Sequence, residues 1–295
     1  METKSNKLPL IVLATYWNES RFVQPSLAQI EELNPVEVII CDGAFNPKIL
    51  DHSTDGTREI LENFIETHKN ARVVSPIRPG ILKSAWLLLL GHKHLPWWTI
   101  FRFARWKFLI VSMIRTPYQR NEGLNFQHMI SLSKEWKPGA WFMTCDSDQF
   151  FSDEMMEKIK KIISDGQFDL DLITGNEMTF FRDFKHYVNS YEKRIFNNMP
   201  HRIYSDTNIQ PQRSVIRETR SGSLMNPRDI LAKHLYVRFG KQLHAGTYFH
   251  YKLNSRERHD LGYKIGDRKK PNPQDYPELD FIGEHPRVII EHFKL

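Results

Sequence analysis

Residues 8–43 read LPLIVLATYWNESRFVQPSLAQIEELNPVEVIICDG, and their pattern decides the fold class. Residues 8–14 form a compact, β-prone apolar run, and residues 36–41 (VEVIIC) form a second. Both runs lack the polar alternation of a half-solvated strand. Continuously apolar strands are what a parallel sheet buried on both faces requires, and the helical spacing of apolar residues over 22–33 supplies a crossover that covers one face. The stretch is therefore a strand, helix, strand unit. Working outward, residues 57–68 (TREILENFIETH) place Ile60, Leu61, Phe64 and Ile65 at helical spacing, and residues 71–75 read as another strand. The first third of the chain is thus one half of a doubly wound α/β fold.

Further along, residues 125–136 read as a helix, and residues 141–145 (WFMTC) as a buried strand running into Asp146-Ser147-Asp148. Residues 152–163 predict an amphipathic helix, started by a Ser152 cap with Asp153 and Glu154 in its first turn. Residues 170–174 and 178–181 read as two further strands, and residues 264–277 as a charged, proline-rich loop.

The composition bounds the partners. Of 295 residues, 41 are Lys or Arg and 35 are Asp or Glu, giving a net charge of +6, which favours phosphate-bearing ligands or an anionic membrane surface. No zinc-finger or RNP pattern and no Lys/Arg-rich run is present, so nucleic acid is the weaker expectation. Cys41 and Cys145 are the only cysteines, which excludes a disulfide scaffold and leads to an expectation of two free thiols. The first twenty residues lack the pattern of a secretory signal, so the expected location is cytoplasmic, with peripheral contact at the cytoplasmic face of a membrane left open.

Acidic residues fall where strands end: Glu19 after the first, Asp42 after the second, and Asp146 with Asp148 after WFMTC. That edge is where open parallel sheets bind ligands. Two carboxylates at i and i+2 just past a buried strand can face one hard cation, since Mg²⁺ and Mn²⁺ prefer oxygen ligands together with substrate phosphates. The competing reading is an Asx-type turn with solvated aspartates.

These residues resemble a known family. Thr15-Tyr16-Trp17-Asn18-Glu19 is similar to the first-strand P-T-Y-N-E signature of family 2 glycosyltransferases. Asp42-Gly43, then Ser53-Thr54-Asp55-Gly56-Thr57, resembles that family's D-G-S-T-D-G-T, here split between Ala44 and His52. Arg120-Asn121-Glu122-Gly123-Leu124-Asn125 resembles its N-x-G-x-x-x-A-x-N segment, and Asp146-Ser147-Asp148 its D-x-D. Thr15 stands where the family usually has Pro, and Trp17 where it has Tyr. The matches span residues 8–165.

The resemblance implies a GT-A-type, Rossmann-like fold: a mixed, mostly parallel sheet flanked by helices. It implies one glycosyltransferase domain over 1–295, with a nucleotide-sugar-binding half at 8–165 and an acceptor-binding half at 166–295. By the same likeness Tyr16 or Trp17 and Glu19 line the base pocket, Asp42 contacts base or ribose, and Arg120 lies near the base or diphosphate. Asp146 and Asp148 would hold ribose and metal, Mn²⁺ or Mg²⁺. Tyr248-Phe249-His250-Tyr251-Lys252 resembles the aromatic segment that carries a further metal ligand, so His250 is the candidate, with His244 behind it. For the base that takes the acceptor proton, Asp206 and Glu218 are candidates by position. Asp55 reads as a helix N-cap.

The expected activity is hexosyl transfer (EC 2.4) from a UDP- or GDP-type donor to a glycan or lipid-linked acceptor. Two other classes compete: a sugar nucleotidyltransferase, which would normally show a glycine-rich basic loop that TYWNESRF lacks, and a non-catalytic protein of membrane surfaces or nucleic acid. Residues 81–117 form an aromatic, apolar and basic insertion without an apolar run long enough to span a bilayer. Either it sits in a membrane interface, or it packs on the protein as a wall of the acceptor cleft.

Overall fold

The computed structural model describes residues 7–45, 52–90, 93, 100–101, 106, 109–110, 113, 117–137, 140–166, 170–180, 183–189, 203–205, 241–251 and 279–295. Strand β1 (Leu8–Tyr16), helix α1 (Ser20–Leu33), strand β2 (Pro35–Asp42), helix α2 (Thr57–Thr67) and strand β3 (Ala71–Val74) follow in order. Helix α3 (Ile81–Leu90), helix α4 (Pro117–Leu132) and strand β4 (Trp141–Asp146) come next. The parallel pairs β1–β2, β1–β4 and β2–β3 give the spatial order β3-β2-β1-β4. This is the Rossmann-like, GT-A-type α/β arrangement that the sequence leads one to expect.

Both faces of this sheet are covered, which is why β1 shows no polar alternation. Leu10, Val12 and Ala14 join Val23, Leu27 and Ile30 of α1 in one core, together with Met155, Ile159 and Ile162 of helix α5 (Asp153–Ser164). Ile11 and Leu13 point the other way, into a second core with Phe126, Met129 and Ile130 of α4. Each such side chain contributes about 1.5 to 3 kcal/mol on burial. A one-residue register slip in β1 would exchange the two cores.

Beyond β4 the sheet becomes mixed. Strand β5 (Gln149–Phe151) pairs antiparallel with β9 (Lys241–Tyr251), and β9 runs parallel to β6 (Leu170–Phe180). Strands β7 (His186–Asn189), β8 (Ile203–Ser205) and β10 (Leu279–Asp280) complete it, and helix α6 (Arg287–Phe293) packs on α1.

Two sequence expectations change. The two strands expected at 170–174 and 178–181 are the single strand β6. Its central Gly175 suggests a break, but a Cβ there would lie 2.7 Å from Met155 Cε, so the glycine allows close approach of α5. Helix α4 starts at Pro117, well before the expected residue 125, because proline suits the first helical turn and the apolar pattern begins only later. It also ends at Leu132: buried Glu37 accepts from Ser133 Oγ (2.5 Å) and Lys134 N (3.0 Å) and pairs with Arg72. The insertion begins as a helix, α3.

Candidate active site at the carboxyl edge

Strands β1, β2 and β4 end at one level, Tyr16 being in register with Asp42 and Thr15 with Asp146. Parallel strands linked by helices return every carboxyl end to the same side, so residues far apart in sequence meet there.

The first part of this edge is a closed polar network. After β1 the chain turns through Asn18, whose φ of 51° lies in the left-handed region. Asn18 N donates to Ser53 Oγ (2.9 Å), and its Oδ1 accepts from Thr54 N (2.9 Å). Glu19 N donates to Thr57 Oγ1 (2.8 Å), and Ser20 N to Asp55 Oδ2 (2.9 Å). Asp55 Oδ1 also accepts from Thr57 N (3.1 Å), so one carboxylate serves the first turns of two helices, as its N-cap reading foresees in part. Although burial acts to raise its pKa, the hydrogen bonds from Thr57 and Ser20 hold Asp55 below the usual carboxylate range. The residue at the cap position of α2 itself is Gly56, at φ 93°.

Asp42 is fully buried. Its Oδ1 accepts from Ser53 Oγ (2.6 Å) and Ser53 N (3.2 Å), and its Oδ2 pairs with Arg58 Nη1 (3.2 Å). The halves of the divided D-G and S-T-D-G-T motif are thereby rejoined in space. Neighbouring Cys41 has its thiol pushed up to about 12, by burial first and then by the Asp42 charge. That thiol stays protonated and is no nucleophile. Both cysteines are buried and neither is in a disulfide. Tyr16 also turns into the core, its hydroxyl 2.8 Å from Ser26 Oγ, and burial drives its pKa well up. Of the aromatic pair, Trp17 is the one left at the turn, buried at 9% exposure, while Glu19 is 2% exposed.

The second part lies across β1. Thr15 Oγ1 donates to Asp146 Oδ1 (3.2 Å), fixing a carboxylate that is half-buried at the edge. Asp148 follows through buried Ser147, and its backbone oxygen accepts from Tyr251 N (2.8 Å). Pairing of Gln149 with His250 then sets His250 Nε2 3.4 Å from Asp148 Oδ1, with side-chain exposures of 10% and 13%. Among the described residues no group of three or more His, Cys, Asp or Glu side chains is placed to hold a metal ion. The pair Asp148 and His250 is nevertheless a nitrogen–oxygen donor set, and it shares an edge with Asp146.

Arg120 sits in the first turn of α4, and its Nε is buried without a hydrogen-bond partner among the described residues. The next residue, Asn121, donates to Phe45 O (2.9 Å), which ties this helix start to the chain leaving β2. Asn125 bonds Ile77 N and O at 2.6 and 2.8 Å and so fixes the segment after β3. The roles of Ser53, Thr57, Arg58 and Asn125 are not evident from the sequence: Ser53 and Thr57 fall in the divided motif and Asn125 in the segment that starts at Arg120, and only Arg58 stands outside every motif.

Asp206 and Glu218 lie outside the described residues, as does the side chain of His244. Strand β8, which precedes Asp206, runs antiparallel to β4 and ends with Ser205 opposite Trp141, at the amino end of β4.

No family model matches the sequence, and no curated protein matches it. Among solved structures, residues 1–349 of TarS from S. aureus match with a TM-score of 0.42 and 14% sequence identity. The match covers 85% of this chain and 62% of that one, so this chain spans less than two thirds of it.

Proposed function

We propose that this protein is a glycosyltransferase that moves a hexosyl group from a UDP- or GDP-type nucleotide-sugar to a glycan or lipid-linked acceptor, with Mn²⁺ or Mg²⁺ as cofactor. The observation that carries the proposal is the Asp148–His250 pair, set just past Asp146 at the carboxyl end of β4.

The residues fit a cation. Two donor atoms each about 2.1 Å from one ion at a right angle lie about 3.0 Å apart, close to the 3.4 Å between Asp148 Oδ1 and His250 Nε2. Two protein ligands leave room for diphosphate oxygens and water, the usual habit of Mg²⁺ and Mn²⁺. When bound, the cation stabilises the negative charge that collects on the diphosphate as the glycosyl bond breaks.

The chain's own residues do the rest. Asp146, its Oδ1 held by Thr15, would serve the donor's ribose and the metal. Arg120 brings a guanidinium with an unused donor to the start of α4, suited to a phosphate oxygen. Trp17 offers a ring for the base. Asp42 acts one step back, holding the loop at Ser53 that shapes the turn around Trp17. The acceptor's proton goes to a carboxylate for which Glu218 remains the candidate by position, since the strand that leads to Asp206 ends at the amino end of β4, away from this edge.

The test is a panel of UDP- and GDP-sugars scored for hydrolysis and transfer with Mn²⁺, with Mg²⁺ and with chelator. Metal-dependent turnover of one donor is the expected result. The absence of both turnover and nucleotide binding across the panel would overturn the proposal.

A further inference from the structure

We infer that the outer face of α3 docks this protein on an anionic lipid surface, an inference that names the lipid-linked kind of acceptor and so rests on the glycosyltransferase reading. Helix α3 (ILKSAWLLLL) is apolar on two sides. On the inner side Leu88 is buried against Leu124 of α4, with Ile77 and Leu87 beside them, and Ser84 Oγ donates to Pro79 O (3.0 Å). On the outer side Leu82, Trp86 and Leu90 follow one another at i, i+4 and i+8, forming one stripe. They are 84%, 59% and 37% exposed, and Ile81 beside them is 59% exposed. Phe101 (73%), Trp106 (48%) and Ile110 (62%), later in the same insertion, are exposed as well.

The charge selects the occupant. Residues 81–117 hold Lys83, Lys93, Arg102, Arg105, Lys107 and Arg115 and not one Asp or Glu. A second copy of the same face would bring like charges together, since a two-fold interface apposes identical patches. An anionic headgroup layer instead complements the cations and accepts the leucines and tryptophans at its acyl boundary. Among the described residues no helix is long and apolar enough to cross a membrane, so docking is on the surface. The inner contact, Leu88 on Leu124, lies one helical turn from Arg120 at the edge where the donor binds. Docked through α3, the protein holds that edge beside the lipid headgroups, where a lipid-linked acceptor presents its hydroxyl.

The experiment is co-sedimentation of the full chain with vesicles of phosphatidylcholine alone and of phosphatidylcholine doped with phosphatidylglycerol, at low and high salt. Wild type is expected to pellet with the doped vesicles and to be released by salt. Leu82→Ser with Trp86→Ser should weaken binding at least about tenfold, and Lys83→Ser about fivefold. Both variants alter exposed side chains, so circular dichroism and nucleotide-sugar hydrolysis without vesicles should match wild type. Hydrolysis needs no lipid and pelleting needs no donor, so failure of the docking inference and failure of the glycosyltransferase reading are separately visible. Wild type left in the supernatant at low salt would overturn the docking inference. So would a double variant that binds like wild type, or a wild-type dimer in free solution that the double variant splits, which would make the face a subunit contact.

Discussion

Two acidic groups stand at the same sheet edge and are treated oppositely. Asp42 is fully buried and meets the Ser53 amide, the Ser53 hydroxyl and Arg58. Asp148 keeps 13% of its side chain exposed and faces His250. A carboxylate whose oxygens are occupied by the protein's donors is committed to holding loops. One that keeps some exposed surface beside an imidazole is the one we propose for a ligand. Strand-end acids in an α/β fold therefore divide into those that build the edge and those that use it, and hydrogen bonding, not position, tells them apart.

The sharpest way to break that division is to exchange its expected consequences. Asp148→Ala should lower turnover about 10² to 10³-fold, the scale of losing a group that stabilises transition-state charge, while leaving the urea midpoint within error. Asp146→Ala should behave alike. Turnover near wild type in a folded Asp148→Ala protein would place the chemistry elsewhere.

Asp42→Ala is expected to do the reverse. It strands the Ser53 amide and hydroxyl and leaves Arg58 without its buried partner, which should destabilise the fold by about 2 to 3 kcal/mol. Urea denaturation measures this directly. Any loss of nucleotide affinity should be recovered at low temperature, where the loop at Ser53 re-forms. A stable Asp42→Ala protein that no longer binds nucleotide would return Asp42 to the ligand.

The first half of this architecture is legible in the sequence because burial on both faces leaves a distinctive unbroken apolar run at β1 and β2. The D-x-D is legible for the same reason, since it follows such a run directly. The partner of Asp148 is less so. In β9, Tyr248, Phe249, His250 and Tyr251 are all buried, so no alternation marks a strand or says which residue faces the edge. Gly175 reads as a break because the contact that requires it, Met155, lies on another element. Helix α6 is too short for its period to register. The saturation of Asp42 depends on Ser53, eleven residues further along the chain, and that separation gives no hint that the two meet.

A smaller effect refines the second acid's role. His250→Ala should raise the Mn²⁺ concentration for half-maximal turnover about tenfold, with a modest change in melting temperature. The opposite balance, a large melting shift with metal dependence intact, would make His250 part of the packing beneath it.

That packing provides the smallest and most specific test. Tyr251, next to His250, turns into an aromatic cluster with Phe22, Phe150, Phe180 and Phe249. Its hydroxyl lies 2.7 Å from His285 Nδ1, while His285 Nε2 lies 2.8 Å from Phe184 O. A carbonyl only accepts, so Nε2 carries the proton and Nδ1 accepts from the tyrosine. Burial holds the His285 pKa below its ordinary value, outweighing the opposing pull of the Phe184 carbonyl. A folded pKa below the unfolded value of about 6.5 means the neutral ring's stabilisation is present above that pH and is lost as pH falls through the depressed folded pKa. Wild type should therefore lose stability as the pH is lowered from about 6.5, before carboxylates such as Asp55 begin to titrate. His285→Gln, which keeps a donor and an acceptor but does not titrate there, should flatten that part of the profile. Urea midpoints measured across this range compare the two. If β9 is held in place through Tyr251, the half-maximal Mn²⁺ concentration of wild type should rise more steeply with acid than that of His285→Gln. Parallel metal profiles would leave His250 anchored by its pairing with β5 and β6 alone.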